Sequence, residues 1–233
     1  RSIYRWQGAV ETAEEIPLAG HPTIATTYAL VISGRLPLYG DHQLISLELK
    51  HGPINVELFI EAGQVENIVM TQRKPEFLGQ VKAAEALAAF SLNKDDLLPG
   101  ATPEVVSTGT PQLMLPLASH DALRRAELVP SRYAALRQKY GFFSPHLFCL
   151  QGATPEGRTF ARHFGTPPDL MEDPFTGSAS GGMGAYLWKH GLIDQRAFIA
   201  EQGHWMNRPG RGTVEVIGPW DDIETVKVGG PAV

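Results

Sequence analysis

Three side chains of this 233-residue sequence have the types needed to move a proton: His21, Asp173 and Ser178. They are far apart in the chain but sit at matching places. Lay residues 17–36, PLAGHPTIATTYALVISGRL, over residues 174–193, PFTGSASGGMGAYLWKHGLI. Pro17 then meets Pro174, Gly20 meets Gly177, Leu30 meets Leu187 and Gly34 meets Gly191. His21 falls opposite Ser178, and Asp173 stands just ahead of the second stretch. An imidazole, a carboxylate and a hydroxyl gathered in one cleft can form an acid/base site, because burial and mutual contact tune the first two toward the working pH. Taken singly, His21 and Ser178 also read as plain helix caps.

Each stretch reads as a complete helix. Pro22 suits a first helical position, which puts His21 at the cap, and Ser178 is a preferred N-cap type. Gly34 and Gly191 stand where a left-handed C-terminal residue is needed. The first helix carries Ile24, Ala25, Tyr28, Ala29, Leu30, Val31 and Ile32. It is apolar nearly all round, which predicts burial on most sides. A helix N-terminus offers free N–H groups and partial positive charge, so it receives carboxylates and phosphates. The small residues Thr176, Gly177, Ser178 and Ala179 would let such a group approach the backbone. They would serve equally to pack the helix tightly against a strand, and composition leaves both readings open.

The segments after the two helices also echo each other. GPINVELFIEAGQVENIVM (52–70) places Ile54, Val56, Leu58 and Ile60 on one strand face before a Gly-containing turn and a second strand. GTVEVIGPWDDIETVKV (212–228) repeats this with Val214, Val216, Ile223, Val226 and Val228. The fold expected is α+β, with two pseudo-symmetric halves, each a curved sheet wrapped around a central buried helix. Residues 79–93 read as a helix. The Pro/Gly-marked stretch NKDDLLPGATPE (93–104) sets the boundary, with halves at residues 1–100 and 101–233. SHDALRRAEL and SRYAALRQKYG read as short Ser-capped helices, and HLFCLQ and RTFARHF as strands.

Several function classes are excluded. The net charge is −5 and no basic stripe stands out, which argues against nucleic acid as a partner. No apolar run spans a bilayer, and the first residues lack a signal-peptide core. A single cysteine, Cys149, permits no internal disulfide and reads as a buried strand residue. The expected location is cytoplasmic. The eight histidines show no His-x-x-x-His spacing, so no metal is expected, and GRG (210–212) and SGG lack the Gly spacing of a nucleotide fingerprint, so no nucleotide cofactor is expected. His163 reads as a strand-end surface residue, with the cleft lining as its other reading.

IPLAGHPTIATTYAL (16–30) and EDPFTGSASGGMGAYL (172–187) resemble the two signatures of the PhzF-like (phenazine biosynthesis) proteins. VSTGTPQLMLPL (106–117), EQGHWMNRPGRGTVEV (201–216) and VKVGGPAV (226–233) are similar to other parts of that family, so the resemblance runs over essentially the whole chain. It implies a diaminopimelate-epimerase-like fold with the site between two halves, and an isomerase that moves a proton on a small carboxylate substrate. It implies polar site residues at His21, Asp173 and Ser178, and substrate binding along Gly20, Thr176, Gly177 and Ala179. A homodimer is the family-based expectation. Epimerases of the same fold use two thiols at the helix mouths, where this chain has His21 and Ser178. The family's principal acid/base is a Glu in an Asn-x-Ser-Glu-Thr type segment upstream of the GHPT motif. No such segment occurs in this sequence, and the role does not pass to Glu11, Glu14 or Glu15. The alternative expectation is a catalytically silent protein of the same fold that binds small carboxylates.

Overall fold

The computed structural model describes residues 20–49, 52–165 and 171–231. Pro17, Glu11, Glu14 and Glu15 lie outside the described residues. In chain order the elements are α1 (Gly20–Ile32), β1 (His42–Leu49), β2 (Gly52–Glu61), β3 (Gln64–Thr71), β4 (Glu76–Gln80) and α2 (Ala83–Ala88). There follow β5 (Glu104–Ser107), β6 (Pro111–Pro116), α3 (His120–Arg125), α4 (Pro130–Tyr140), β7 (Ser144–Cys149), β8 (Thr159–Phe164) and β9 (Glu172–Asp173). The last are α5 (Gly177–Lys189), β10 (Ala197–Gln202), β11 (Gly210–Ile217) and β12 (Thr225–Gly230).

The strands described form one sheet in the order β1-β2-β3-β12-β11-β10-β8-β7-β6-β5-β4, with β9 attached to β8. Period-2 patterning builds its first end. Ile54, Val56, Leu58 and Ile60 all turn to the buried side of β2. The hairpin expected over 212–228 is β11–β12, and β12 then pairs with β3, Val228 opposite Met70. That pairing joins strands from both sides of the expected boundary into one sheet. The connection at 93–104 separates α2 from β5 along the chain. In space, residues before it join the strands after it: β4 pairs β5, and Val81, Leu87 and Phe90 pack with Val105, Leu113 and Leu115.

The two central helices are not equivalent. α5 is enclosed, with every residue from Gly177 to Leu187 buried. α1 is not: Thr23 and Thr27 are buried, Ile24 and Tyr28 half-buried, and Ile32 is 68 % exposed. This corrects the expectation of a first helix buried on most sides. α1 rests on one side of a single sheet end, against Ile54, Val56, Ile68 and Met70, whereas α5 packs against β5, β6, β11 and β12.

Other local expectations shift for identifiable reasons. The helix expected over 79–93 shortens to α2, because residues 76–80 pair with β5 and Gly79 takes φ +130°, which no helix continues. His21 and Ser178 are second residues of their helices rather than caps, and Thr176 occupies the cap of α5. Ser119 does cap α3, accepting from Ala122 N–H at 3.1 Å, but α4 starts at Pro130, so Ser131 lies inside it. Gly34 (φ +70°) and Gly191 (φ +63°) adopt the left-handed conformation expected after α1 and α5.

The small residues in the body of α5 are a packing device. A Cβ on Gly184 would lie 2.6 Å from Val214 Cγ1, and one on Gly182 would lie 2.8 Å from the terminal methyl of Met114. A Cβ on Gly181 would run into the Gln72 amide. These positions give different expectations. Gly182→Ala displaces only the flexible end of a Met and gains helix propensity, so it is expected to be neutral or stabilising by up to ~1 kcal/mol. Gly184→Ala meets a branched, fully buried side chain and is expected to destabilise by about 1–3 kcal/mol. Urea unfolding of the two variants checks the contrast.

Candidate active site

The two helix mouths meet. A Cβ on Gly20 would lie 3.1 Å from Gly177 Cα and 3.2 Å from Ser178 N, so the close backbone approach depends on glycine. Two sets of free N–H groups, one per helix, therefore converge on one region. Beside this junction is a cavity of about 390 Å³, lined by His21, Ile24, Tyr28, Met70, Phe175 and Val228, with Gly20 and Gly177 at its edge. His21 is exposed there. Phe175 holds the approach to α5 in place. Its ring covers β11 at Gly210 and Gly212, where added Cβ atoms would lie 2.9 Å and 2.7 Å from ring carbons.

Asp173 and Ser178 do not line that cavity. They belong to a polar belt around the first turn of α5. Thr176 Oγ1 donates to Asp173 Oδ2 at 2.6 Å, so the carboxylate holds the cap residue of the helix. Gln202 Nε2 donates to the Asp173 carbonyl at 2.6 Å, and Thr176 N–H donates to Gln202 Oε1 at 3.2 Å. On the far side, Gln112 Nε2 donates to Ser178 Oγ at 3.3 Å. Gln72 Nε2 donates to the Gly177 carbonyl at 2.9 Å, and Thr108 Oγ1 donates to Gln72 Oε1 at 2.5 Å. Ser178 is only 5 % exposed, and Ala179 is fully buried.

The structure thus brings Asp173 together with Thr176, and Gly20 with Gly177 and Ser178. Among the described residues no hydrogen bond joins His21, Asp173 or Ser178 to one another. Four belt residues escaped the sequence reading: Gln72, Thr108, Gln112 and Gln202. Each lies on a strand or loop distant in sequence from α5, and its amide or hydroxyl type carries no pattern. VSTGTPQLMLPL, which carries part of the family resemblance, supplies Thr108 and Gln112.

His163 is not a surface residue. It is 5 % exposed, and its Nδ1 lies 3.3 Å from Nδ1 of the fully buried His146. Burial pushes the His163 imidazole down to about 3, and burial followed by the nearness of His163 holds His146 well below the ordinary histidine range. Both rings are neutral in the folded protein at neutral pH. Cys149, at the end of β7, is buried as expected, and burial raises its thiol. Among the described residues no group of three His, Cys, Asp or Glu side chains is placed to hold a metal ion.

The chain is similar to several known proteins. An uncharacterized isomerase of Bacillus subtilis is 29% identical over 204 residues, covering 87% of this chain and 68% of the relative. A Pseudomonas fluorescens protein named trans-2,3-dihydro-3-hydroxyanthranilate isomerase is 30% identical over 221 residues, 94% of this chain and 73% of its own length. The crystal structure of a Bacillus anthracis phenazine biosynthesis protein of the PhzF family superposes with a TM-score of 0.78 at 27% identity, covering 93% of this chain and 74% of that one. The family described as phenazine biosynthesis-like protein (PhzC-PhzF) matches residues 10–233. The chain belongs to that PhzF family, whose relatives here are named as isomerases.

Proposed function

We propose that this chain forms the cleft of an isomerase that moves a proton on a small carboxylate substrate by acid/base catalysis. The observation that carries this reading is the Gly20–Gly177 junction, where two helix N-termini meet beside a cavity. Backbone N–H groups of Gly20 and Gly177 hold the substrate carboxylate; of the other two residues expected to bind it, Thr176 gives its N–H to Gln202 Oε1 and Ala179 is fully buried, so both support the helix mouth from behind. His21, Asp173 and Ser178 supply the polar groups. A base removes a proton from a C–H carbon, the electron pair shifts the double bond, and an acid returns a proton to a second carbon. The step is redox-neutral and consumes nothing. The name of the Pseudomonas fluorescens relative supports a carboxylate on a ring as the substrate class.

The test uses the chain in D₂O with a panel of small ring and amino-acid carboxylates, read by melting temperature and by mass. A ligand of the native state raises the melting point. An accepted substrate also gains deuterium at carbon. Binding without deuterium uptake across the panel would replace this reading with a silent carboxylate binder of the same fold.

A further inference from the structure

The inner face of the sheet carries a histidine pair to which the proposed reaction assigns no role. β7 sets His146 directly opposite His163 of β8, and β9 sets Asp173 directly opposite His163 from the other side. Opposed residues of antiparallel strands share a face, with Cβ atoms about 5 Å apart. The row His146–His163–Asp173 therefore crosses three strands on one face. It is the face toward α5, because Phe148 and Ala161, at alternate positions on the same strands, pack with Met183 and Tyr186.

The contact between the two Nδ1 atoms fixes a proton. Two neutral rings can share such a bond only if one donates and the other accepts, so they are different tautomers. His146 is 0 % exposed and its Nε2 has no partner. A buried N–H without an acceptor is the rarer and costlier orphan. His146 therefore carries its proton on Nδ1 and donates it. His163 accepts at Nδ1 and keeps its own proton on Nε2.

We propose that His163 is a positioning residue for Asp173, locked by His146 in the neutral tautomer that presents an Nε2–H on the Asp173 side of the site. Asp173 has Oδ2 engaged by the Thr176 hydroxyl, and its other oxygen is open to a second donor. Among the described residues no hydrogen bond joins His163 to Asp173; a rotation of the Asp173 side chain in the ligand-free chain brings its second oxygen to the His163 N–H. The groups facing His163 are His146 from β7, Asp173 from β9, and the uncharged Gln112 and Gln202 from β6 and β10. The Arg162–Glu172 ion pair, 2.8 Å, lies on the opposite face. No cation therefore reaches the carboxylate from this row.

This inference rests on the role proposed for Asp173, and its test needs no substrate. Long-range ¹⁵N–¹H spectra of the histidine-labelled chain report each ring's tautomer. The expected result is a proton on Nδ1 of His146 and on Nε2 of His163, unchanged from pH 8 to pH 5. The opposite tautomers, or titration of either ring near pH 6.5, would overturn it. The Asp173 carboxyl ¹³C midpoint is then compared in wild type, His163→Phe and His163→Gln. Loss of the donor in His163→Phe raises the midpoint by about one unit, and the Gln amide restores it. An unchanged midpoint in His163→Phe refutes the positioning role. If carboxylates fail to bind while these signatures hold, the proposed function has failed and the His163 assignment has not.

Discussion

Asp173→Asn is expected to abolish the proposed turnover and to leave the fold standing. The carboxylate accepts one hydrogen bond from Thr176 Oγ1, at 2.6 Å, and the Asn carbonyl oxygen can accept the same bond. The cap of α5 is therefore retained, and the stability change stays within about 1 kcal/mol. The amide cannot take up or return a proton, so deuterium uptake into an accepted substrate falls by roughly 10²- to 10⁴-fold. Asp173→Ala loses both functions and is expected to cost about 1 kcal/mol more than Asp173→Asn. Full turnover in Asp173→Asn would remove Asp173 from the chemistry. Unfolding of the same variant would make it a structural cap.

Acid is expected to weaken the folded protein well before its carboxylates are protonated. His146 and His163 are held below their ordinary value in the fold, His163 at about 3. In the unfolded chain both take up protons near pH 6.5. The unfolded state thus binds more protons through this window, and stability falls as pH drops. The contribution is fully present above about pH 6.5 and is lost progressively toward pH 3. Each histidine removes on the order of 2 kcal/mol by pH 5. Glu57 and Asp96 also have lowered values, Glu57 chiefly through Lys227, and Asp96 through the Asn93 N–H and Arg125 against its burial. Their loss begins only nearer their ordinary carboxylate values, so pH 5–6.5 isolates the histidine pair. Urea midpoints at pH 7.5 and 5 read the effect. A His146→Leu/His163→Leu double variant should flatten the profile across that window. A flat wild-type profile would mean that the rings carry charge inside the fold.

The parts of this protein legible in its sequence are those set by short-range rules. Pro22, Gly34 and Gly191 punctuate α1 and α5 through backbone conformation that only a few residue types adopt. Ser119 announces α3 through one side-chain bond three residues away. The alternation of Ile54, Val56, Leu58 and Ile60 dictates which face of β2 is buried. The matched stretches around Gly20 and Gly177 pointed to paired helix mouths, and the structure brings those glycines into backbone contact.

What the sequence alone left open concerns contacts between residues distant along the chain. Whether the small residues of α5 serve a ligand or a packing surface depends on what lies across from each. Gly177 meets Gly20, while Gly184 meets Val214, and no local pattern separates the two cases. The apolar α1 was expected to be enclosed like α5, but one sheet end covers only one side of it. His163 read as a surface residue because its own segment holds nothing to bury it against. Its burial comes from the assembled sheet, in which His146, seventeen residues away, stands opposite it. Strand register and sheet order determine those pairings, and both are properties of the assembled fold. The helix termini were readable because backbone rules are local. The polar belt and the histidine row were decided only when β6, β7, β8, β9 and β10 came together around α5.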